Sequence, residues 1–396
     1  MKIDLGNNVY WIGMNDGHTR LLKASGHWSR VLPIILFDKR QKKHLNSTVE
    51  LEQEDGFLEK LFAILNGEDL HYLVINHIEP DHSGAIKSVL KAFPNLQIVG
   101  NSTTIKLLDG YYGIKNNIYK VQSNSALELG HHRLRFIATP MLHWPETMMC
   151  YEEQDKILFT GDVFGSFGQL FSGLCDDELE DIKLYTSELR RYYAVVLSKY
   201  ARNVLRALNK IEPLDIKALA TTHGPVWRKT VREIMAQYRH YATYSTKKGV
   251  VIAYGSMYGH ARQQAIIIKE ELEKLGVEDL SMYDVALTDA SYILSDILRY
   301  KGLILCAPTY NGEVFPPMEH LMRYMERFEF KNKILSLVSG KTWTGGGMKQ
   351  MLQFADRMQW PVIGEPHETI CAPEVSDFEH VKNIARAMAK ALQHLA

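Results

Sequence analysis

His77-Ile78-Glu79-Pro80-Asp81-His82, followed by Ser83 and Gly84, sets four metal-ligand side chains within six residues. Imidazole nitrogens and carboxylate oxygens suit divalent ions of hard or borderline character, so a cluster this dense raises the question of a bound ion. Pro80 keeps the stretch out of a helix and biases Glu79 toward extended backbone. Alternate residues of an extended chain point the same way, which predicts His77, Glu79 and Asp81 on one side and His82 turned toward another position. The plain alternative is a polar loop that happens to carry acids and histidines.

Three further loops repeat the pattern of an apolar run that ends in a His or an Asp. Met141-Leu142-His143-Trp144-Pro145-Glu146 follows the run Leu134 to Ala138. Asp162, in Gly161-Asp162-Val163-Phe164-Gly165, follows Ile157 to Thr160, and His223-Gly224-Pro225 follows Ile216 to Thr222. One His at a strand end is ordinarily structural, but four such loops together point to a site. The collected candidates are His77, Glu79, Asp81, His82, His143, Asp162 and His223. Four imidazoles and three carboxylates are too many for one four-coordinate zinc and suit two metals that share a bridging group. Mixed nitrogen and oxygen ligation without thiolate suits iron, manganese or zinc. For two ferrous ions, the three carboxylates and one hydroxide would cancel the metal charge, and oxidation would leave positive charge to hold an anionic ligand derived from O2.

The elements that must position these residues are legible in part. Tyr72-Leu73-Val74-Ile75-Asn76 is an apolar, β-branched segment and predicts a buried strand that ends at His77. Val9 to Gly13, Val31 to Phe37 and Ile98 to Gly100 predict further strands, and the segment Asp38 to Glu52 reads as polar and irregular. Leu51 to Leu65 has helical spacing, Ala85 to Ala92 predicts a short helix, and Ser102 is the expected cap of the helix after it. Thr230 to Tyr244 predicts a helix, and Ser245 to Gly249 a short linker.

Beyond that linker the pattern becomes a regular alternation. Strands are expected at Val250 to Tyr254, Leu303 to Ala307, Ile334 to Ser339 and His367 to Ala372. Helices are expected at Arg262 to Leu275, Pro317 to Phe328, Met348 to Met358 and Asp377 to Leu395. Such alternation predicts a parallel, doubly wound sheet. The domain boundary is placed near Thr246, giving domains 1–246 and 247–396.

The second domain has its own candidate site. The first strand leads into Gly255-Ser256-Met257-Tyr258-Gly259-His260-Ala261 and then a helix, the form of a phosphate cradle. Pro308-Thr309-Tyr310-Asn311-Gly312 follows the second strand. Gly340-Lys341-Thr342-Trp343-Thr344-Gly345-Gly346-Gly347 follows the strand ending at Ser339. All three loops fall at the carboxyl ends of parallel strands, where open α/β sheets bind ligands. An aromatic on each of two loops can sandwich a planar ring. With no G-x-G-x-x-G, FMN is favoured over NAD.

Composition sets bounds on the rest. The 396 residues suggest two or three domains, and the formal net charge is zero. No basic run interleaved with aromatics argues for nucleic acid as a partner. Cys150, Cys175, Cys306 and Cys371 are far apart, with no C-x-x-C and hence no rubredoxin-type module, and they fit a reducing compartment. No signal peptide is evident at Met1-Lys2-Ile3-Asp4, and no apolar run is long enough to cross a bilayer, so a cytoplasmic protein is expected.

His-x-Glu-x-Asp-His followed by His143, Asp162 and His223 resembles the flavodiiron proteins. The resemblance runs from about Leu51 to the end and is thinner before it. It implies a metallo-β-lactamase-like αββα sandwich followed by a flavodoxin-like doubly wound parallel sheet. It also implies one iron on His77, Glu79 and His143, a second on Asp81, His82 and His223, and Asp162 with a hydroxide or oxo group as the bridge. Hydrolases of the same superfamily usually carry His at the position of Glu79 and bind zinc.

In this family a tyrosine lines the site, and Tyr193 of Arg190-Arg191-Tyr192-Tyr193 is the choice here. FMN contacts are expected from Ser256, Met257, Tyr258, Gly259, His260, Ala261, Pro308, Thr309, Asn311, Gly312, Ser339, Gly340, Thr344 and Gly345. Tyr310 and Trp343 would flank the ring. His260 and Ala261 stand where relatives often carry hydroxyl or amide side chains. In the divergent segment 14–50, Asn15 and Asp16 fit the usual entry to the first loop, and His27 is a candidate to reach the site.

The implied activity is reduction of O2 to water, of NO to N2O, or both. Rubredoxin or another small carrier, or a reduced deazaflavin, would donate the electrons. A head-to-tail homodimer or a dimer of dimers is implied. The alternative from another class is a zinc-dependent hydrolase with a flavodoxin-like accessory domain.

Overall fold

The computed structural model describes residues 3–6, 9–15, 30–31, 34–36, 42–170 and 173–394. Asp16 and His27 lie outside them. The chain forms two compact units, Met1–Arg239 and His240–Ala396.

The first unit holds two sheets. One runs in the order Ile3–Gly6, Val9–Trp11, Ile34–Leu36, His44–Asn46, Tyr72–Val74, Gln97–Gly100, Ile118–Lys120. Its first half pairs antiparallel, and from His44–Asn46 onward it is parallel. Tyr72–Val74 is therefore central and buried on both faces, which accounts for its unbroken apolar composition. The other sheet runs Ala126–Glu128, Arg133–Ala138, Met148–Glu152, Ile157–Gly161, Ala218–Thr221. The helices Glu54–Leu65, Ile86–Ala92 and Ser102–Tyr112 cover the first sheet, with Phe57, Leu61, Ile86, Val89 and Leu108 in one core with Leu73, Ile75 and Ile98. Ala201–Ile211 buries Ala201, Val204, Ala207, Leu208 and Ile211, a helical stripe of three and four residue steps.

Three expectations are corrected here. The segment read as polar and irregular contains the strand His44–Asn46, buried throughout despite its His and Asn. Parallel pairing with Tyr72–Val74 overrides its composition. Ser102 is not the cap of its helix. Asn101 is, because its side-chain oxygen accepts from the N–H groups of Thr103 and Thr104. The expected linker Ser245 to Gly249 is largely strand, since Lys247–Tyr254 pairs already at Lys247.

In the second unit the strands Leu280–Asp284, Lys247–Tyr254, Tyr300–Tyr310, Ile334–Lys341 and His367–Ile370 lie side by side in that order, all parallel. The first two are exchanged relative to their order in the chain, so the sheet is doubly wound, with helices on both faces. The α/β class expected from alternation is the class observed. Leu280–Asp284 and the helix Ala290–Arg299 were not anticipated. That strand is partly exposed and polar at Ser281, Tyr283 and Asp284, which leaves little apolar signal. Among the described residues no helix is long and apolar enough to cross a membrane.

Candidate functional site

Each of the four loops starts where a strand stops. Asn76 anchors the first: its Nδ2 donates to the carbonyls of Met148 (3.0 Å) and Phe159 (3.2 Å), and its own carbonyl accepts from Met148 N–H (3.0 Å). These bonds tie the end of Tyr72–Val74 to the second sheet and set His77 in place. After Glu79 the chain does not stay extended. Pro80–His82 forms one turn of 3-10 helix with Pro at its first position. The turn swings Asp81 away from His77 and Glu79, so the expectation that these three share a side is overturned.

The result is two groups of ligand atoms. In the first, Glu79 Oε2 stands 3.2 Å from His77 Nε2 and 3.0 Å from His143 Nε2. In the second, Asp81 Oδ1 lies 3.4 Å from His82 Nε2 and Oδ2 lies 3.4 Å from His223 Nε2. Asp162, buried at the end of Ile157–Gly161, stands between them. Its Oδ2 is 3.3 Å from His143 Nε2 and 3.9 Å from His77 Nε2, while its Oδ1 is 3.4 Å from both His82 Nε2 and His223 Nε2. Donor atoms about 2.1 Å from one ion stand roughly 3.0 Å apart at right angles and roughly 3.4 Å apart at tetrahedral angles. The spacing is that of ligands around two ions with one carboxylate oxygen offered to each.

The residues fit a metal pair on two further grounds. Both ring nitrogens of His82 and His223 are buried without a hydrogen-bond partner, which is costly unless something else engages them. Burial lowers an imidazole pKa, yet the carboxylates close by, Glu146 and Glu79 at His77 and Asp162 and Asp81 at His223, outweigh it and raise both to about 9. Three carboxylates this close together in a largely buried pocket favour cations beside them.

Residues outside the expected set support this arrangement. Glu146, fully buried, is 2.6 Å from His77 Nδ1 and accepts from Ile78 N–H at 3.1 Å. Burial pushes its carboxyl up, but these bonds bring it below the ordinary range. A His that donates through Nδ1 keeps its Nε2 lone pair for a metal. Thr222 Oγ donates to Asp162 Oδ1 at 2.8 Å. Gly224 has φ +82°, and a Cβ there would lie 2.7 Å from Ser166 Cβ, so the turn after His223 needs glycine. The sequence signal for Glu146 and Thr222 was their place beside His143 and His223, which is weak without contacts.

In the second unit, the N-terminus of the helix His260–Lys274 opens into a cleft lined by Ser256, Met257, Tyr258, His260 and Ala261 of the first loop. Pro308, Thr309 and Gly340 come from the other two loops, and Gln264, Lys341, Thr342, Thr369 and Cys371 complete the lining without having been expected. Gln264 and Thr369 join one another by a hydrogen bond of 2.5 Å. Tyr310 and Trp343 stand exposed on the second and third loops, Trp343 at 86 %. Asn311, Gly312, Thr344 and Gly345 belong to the same loops and do not line the cleft, nor does Gly259, whose N–H donates to Ser256 Oγ. Ser339 does not present its hydroxyl, which donates to Ala307 O at 3.1 Å. A Cβ on Gly346 would fall 1.8 Å from Gly312 O, so the second and third loops pack closely only because residue 346 has no side chain.

Residues 39–224 match the family described as ODP family beta lactamase, and residues 252–358 match flavodoxin. Its two domains are those of the flavodiiron proteins. The chain is 29 % identical over 364 residues to the anaerobic nitric oxide reductase flavorubredoxin of Klebsiella pneumoniae, covering 89 % of this chain and 74 % of that one. Among solved structures it superposes on the rubredoxin oxygen:oxidoreductase of Desulfovibrio gigas with a TM-score of 0.93 at 23 % identity, covering 99 % of both chains. The flavodiiron protein of Giardia intestinalis gives 0.94 at 22 % identity, covering 99 % of this chain and 97 % of that one.

Within this flavodiiron frame the tyrosine beside the ligands is Tyr192. Its ring lies 5.7 Å from that of His223. Burial, then the charge of Asp162, pushes its phenol well above the ordinary value. Tyr193, the residue expected, packs its ring 5.2 Å from that of Tyr238. Adjacent residues of a helix point roughly 100° apart, so only one of the pair can face the ligands, and the sequence alone does not say which; the α-helix Ile182–Tyr192 then continues into a π-helical turn at Tyr193–Leu197. Trp144 adds an apolar wall, 5.1 Å from the His77 ring and stacked on Tyr111.

Proposed function

We propose that the chain is a flavodiiron oxidoreductase that reduces O2 to water, NO to N2O, or both. The observation that carries this reading is the pair of ligand groups, with one oxygen of Asp162 turned to each. His77, Glu79 and His143 would hold one iron, and Asp81, His82 and His223 the other. FMN would lie in the cleft of the second unit, its phosphate at the N-terminus of His260–Lys274, with the exposed Tyr310 and Trp343 against the ring. FMN held there would supply redox chemistry linking an electron donor to the metal pair.

The chain's own residues do the rest. Glu146 orients His77, Trp144 excludes water on one side, and Tyr192 offers a hydroxyl proton in the ligand pocket. We read the domains as 1–246 and 247–396, supported by Lys247–Tyr254 opening the parallel sheet. Rubredoxin or another small carrier, or a reduced deazaflavin, fits as donor, in line with the flavorubredoxin and rubredoxin oxygen:oxidoreductase that the chain is similar to. A head-to-tail homodimer and a cytoplasmic setting complete the proposal.

The test is metal and flavin analysis of the purified protein, with O2 and NO consumption under a reducing rubredoxin system. Two irons and one FMN per chain with turnover are the expected outcome, and the ratio of rates assigns the preferred gas. Zinc without flavin or gas consumption would instead establish the hydrolase reading.

A further inference from the structure

We propose that the two metal positions are electronically unequal: that of Asp81, His82 and His223 is the weaker donor set, and its iron stays ferrous longer on oxidation. This rests on the two-metal reading above. The two sets of ligands are alike, since each has two imidazoles, one carboxylate of its own and one oxygen of Asp162. The inequality comes from the layer behind them. At the first position the buried Glu146 carboxylate stands 2.6 Å from His77 Nδ1, which makes that imidazole the more basic ligand and places an extra anion beside the metal. At the second position the Nδ1 atoms of His82 and His223 are buried with no protein partner.

The bridging carboxylate leans the same way. Thr222 Oγ donates at 2.8 Å to Asp162 Oδ1, the oxygen turned to His82 and His223. A hydrogen bond accepted by a ligating oxygen withdraws electron density from its metal bond. Thr222 is held for this role, because its N–H donates to Gly161 O at 3.0 Å and its side chain is buried. A ferric ion gains more from strong, anionic donors than a ferrous one does. Oxidation therefore begins at the first position, and the second keeps more Lewis acidity for an added ligand. Thr222 and Glu146 are positioning residues here, since each acts through a ligand.

The experiment is a redox titration of the iron-loaded protein followed by electron paramagnetic resonance, which reads the potential window over which the half-oxidised pair exists. Thr222→Val removes the hydrogen bond at nearly constant shape and should narrow the window by lowering the second potential. Thr222→Ser keeps the hydroxyl and should restore the wild-type window. Glu146→Gln should narrow it from the other side by raising the first potential, and it tests the proposal independently if Thr222→Val does not fold. An unchanged or wider window in Thr222→Val, or in Glu146→Gln, overturns the proposal. Fewer than two irons in the wild-type protein, with no half-oxidised signal, would remove the two-metal reading itself and so marks a different failure.

Discussion

Glu146 illustrates what a single side chain contributes once a ligand depends on it. Its carboxylate holds the His77 ring from the side away from the metal pocket, and the Ile78 N–H holds the carboxylate. Replacing it with Gln keeps the size but loses the charge-assisted bond. Iron affinity should fall about 10- to 100-fold, measured by the chelator concentration that strips half the metal. Gly224 is constrained differently, by a positive φ and a 2.7 Å approach to Ser166 that a methyl group would violate. Gly224→Ala should destabilise the first unit by about 1–3 kcal/mol, read from denaturant unfolding. At this scale the sequence was most informative about ligand types and least about neighbours. His77 and Asp162 announced themselves by residue type at strand ends. Thr222 and Glu146 carry no such mark, because their roles exist only through partners 60 and 69 residues away.

Elements translate these contacts into rigidity. Asn101 caps the helix Ser102–Tyr112 through two backbone N–H groups, and its Nδ2 also donates to the Glu146 carbonyl at 2.5 Å. Asn101→Ala should cost about 1 kcal/mol through the cap alone, and its loosening of Glu146 should appear as easier metal loss in the same chelator assay. In the second unit Lys333 is buried, and its ammonium donates to the carbonyls of Leu298 and Tyr300 at the end of the helix Ala290–Arg299. Burial, helped by Lys301, drives its pKa well below the ordinary 10.5. Between the folded and unfolded values the unfolded chain binds the extra proton, so stability rises with pH through that window and levels off above about 10.5. Lys333→Met should flatten that rise, which urea unfolding at pH 7 and pH 10 would measure. The helix there was absent from the sequence reading although Ile293, Leu294, Ile297 and Leu298 give it a buried face at helical spacing, while the strand before it, Leu280–Asp284, lies half-exposed at the sheet edge and lacks a distinct apolar run.

At the scale of the molecule, the two units, Met1–Arg239 and His240–Ala396, have their own cores and are expected to respond separately to their ligands. A ligand that binds only the folded state stabilises it by about 2.7 kcal/mol at 100 times its Kd. Chelating the metal should therefore lower the calorimetric transition of the first unit, and removing flavin that of the second, each leaving the other nearly in place. A single transition that moves with both would contradict this independence.

What the sequence determined by itself was chemistry and class. The candidate ligand types, their order, the parallel sheet of the second unit and the three loops that contribute to its cleft all follow from local signals: residue type, alternation and loop position after a strand. Tertiary structure decided the rest. It set Tyr192 beside His223 and Tyr193 against Tyr238, and it placed Asp81 with His82 and His223 through the turn at Pro80–His82. It also buried the polar strand His44–Asn46 by parallel pairing. Each of these depends on where a backbone turns or which distant strand it meets. Such energies are set between segments far apart in the chain, and no window of neighbouring residues contains them.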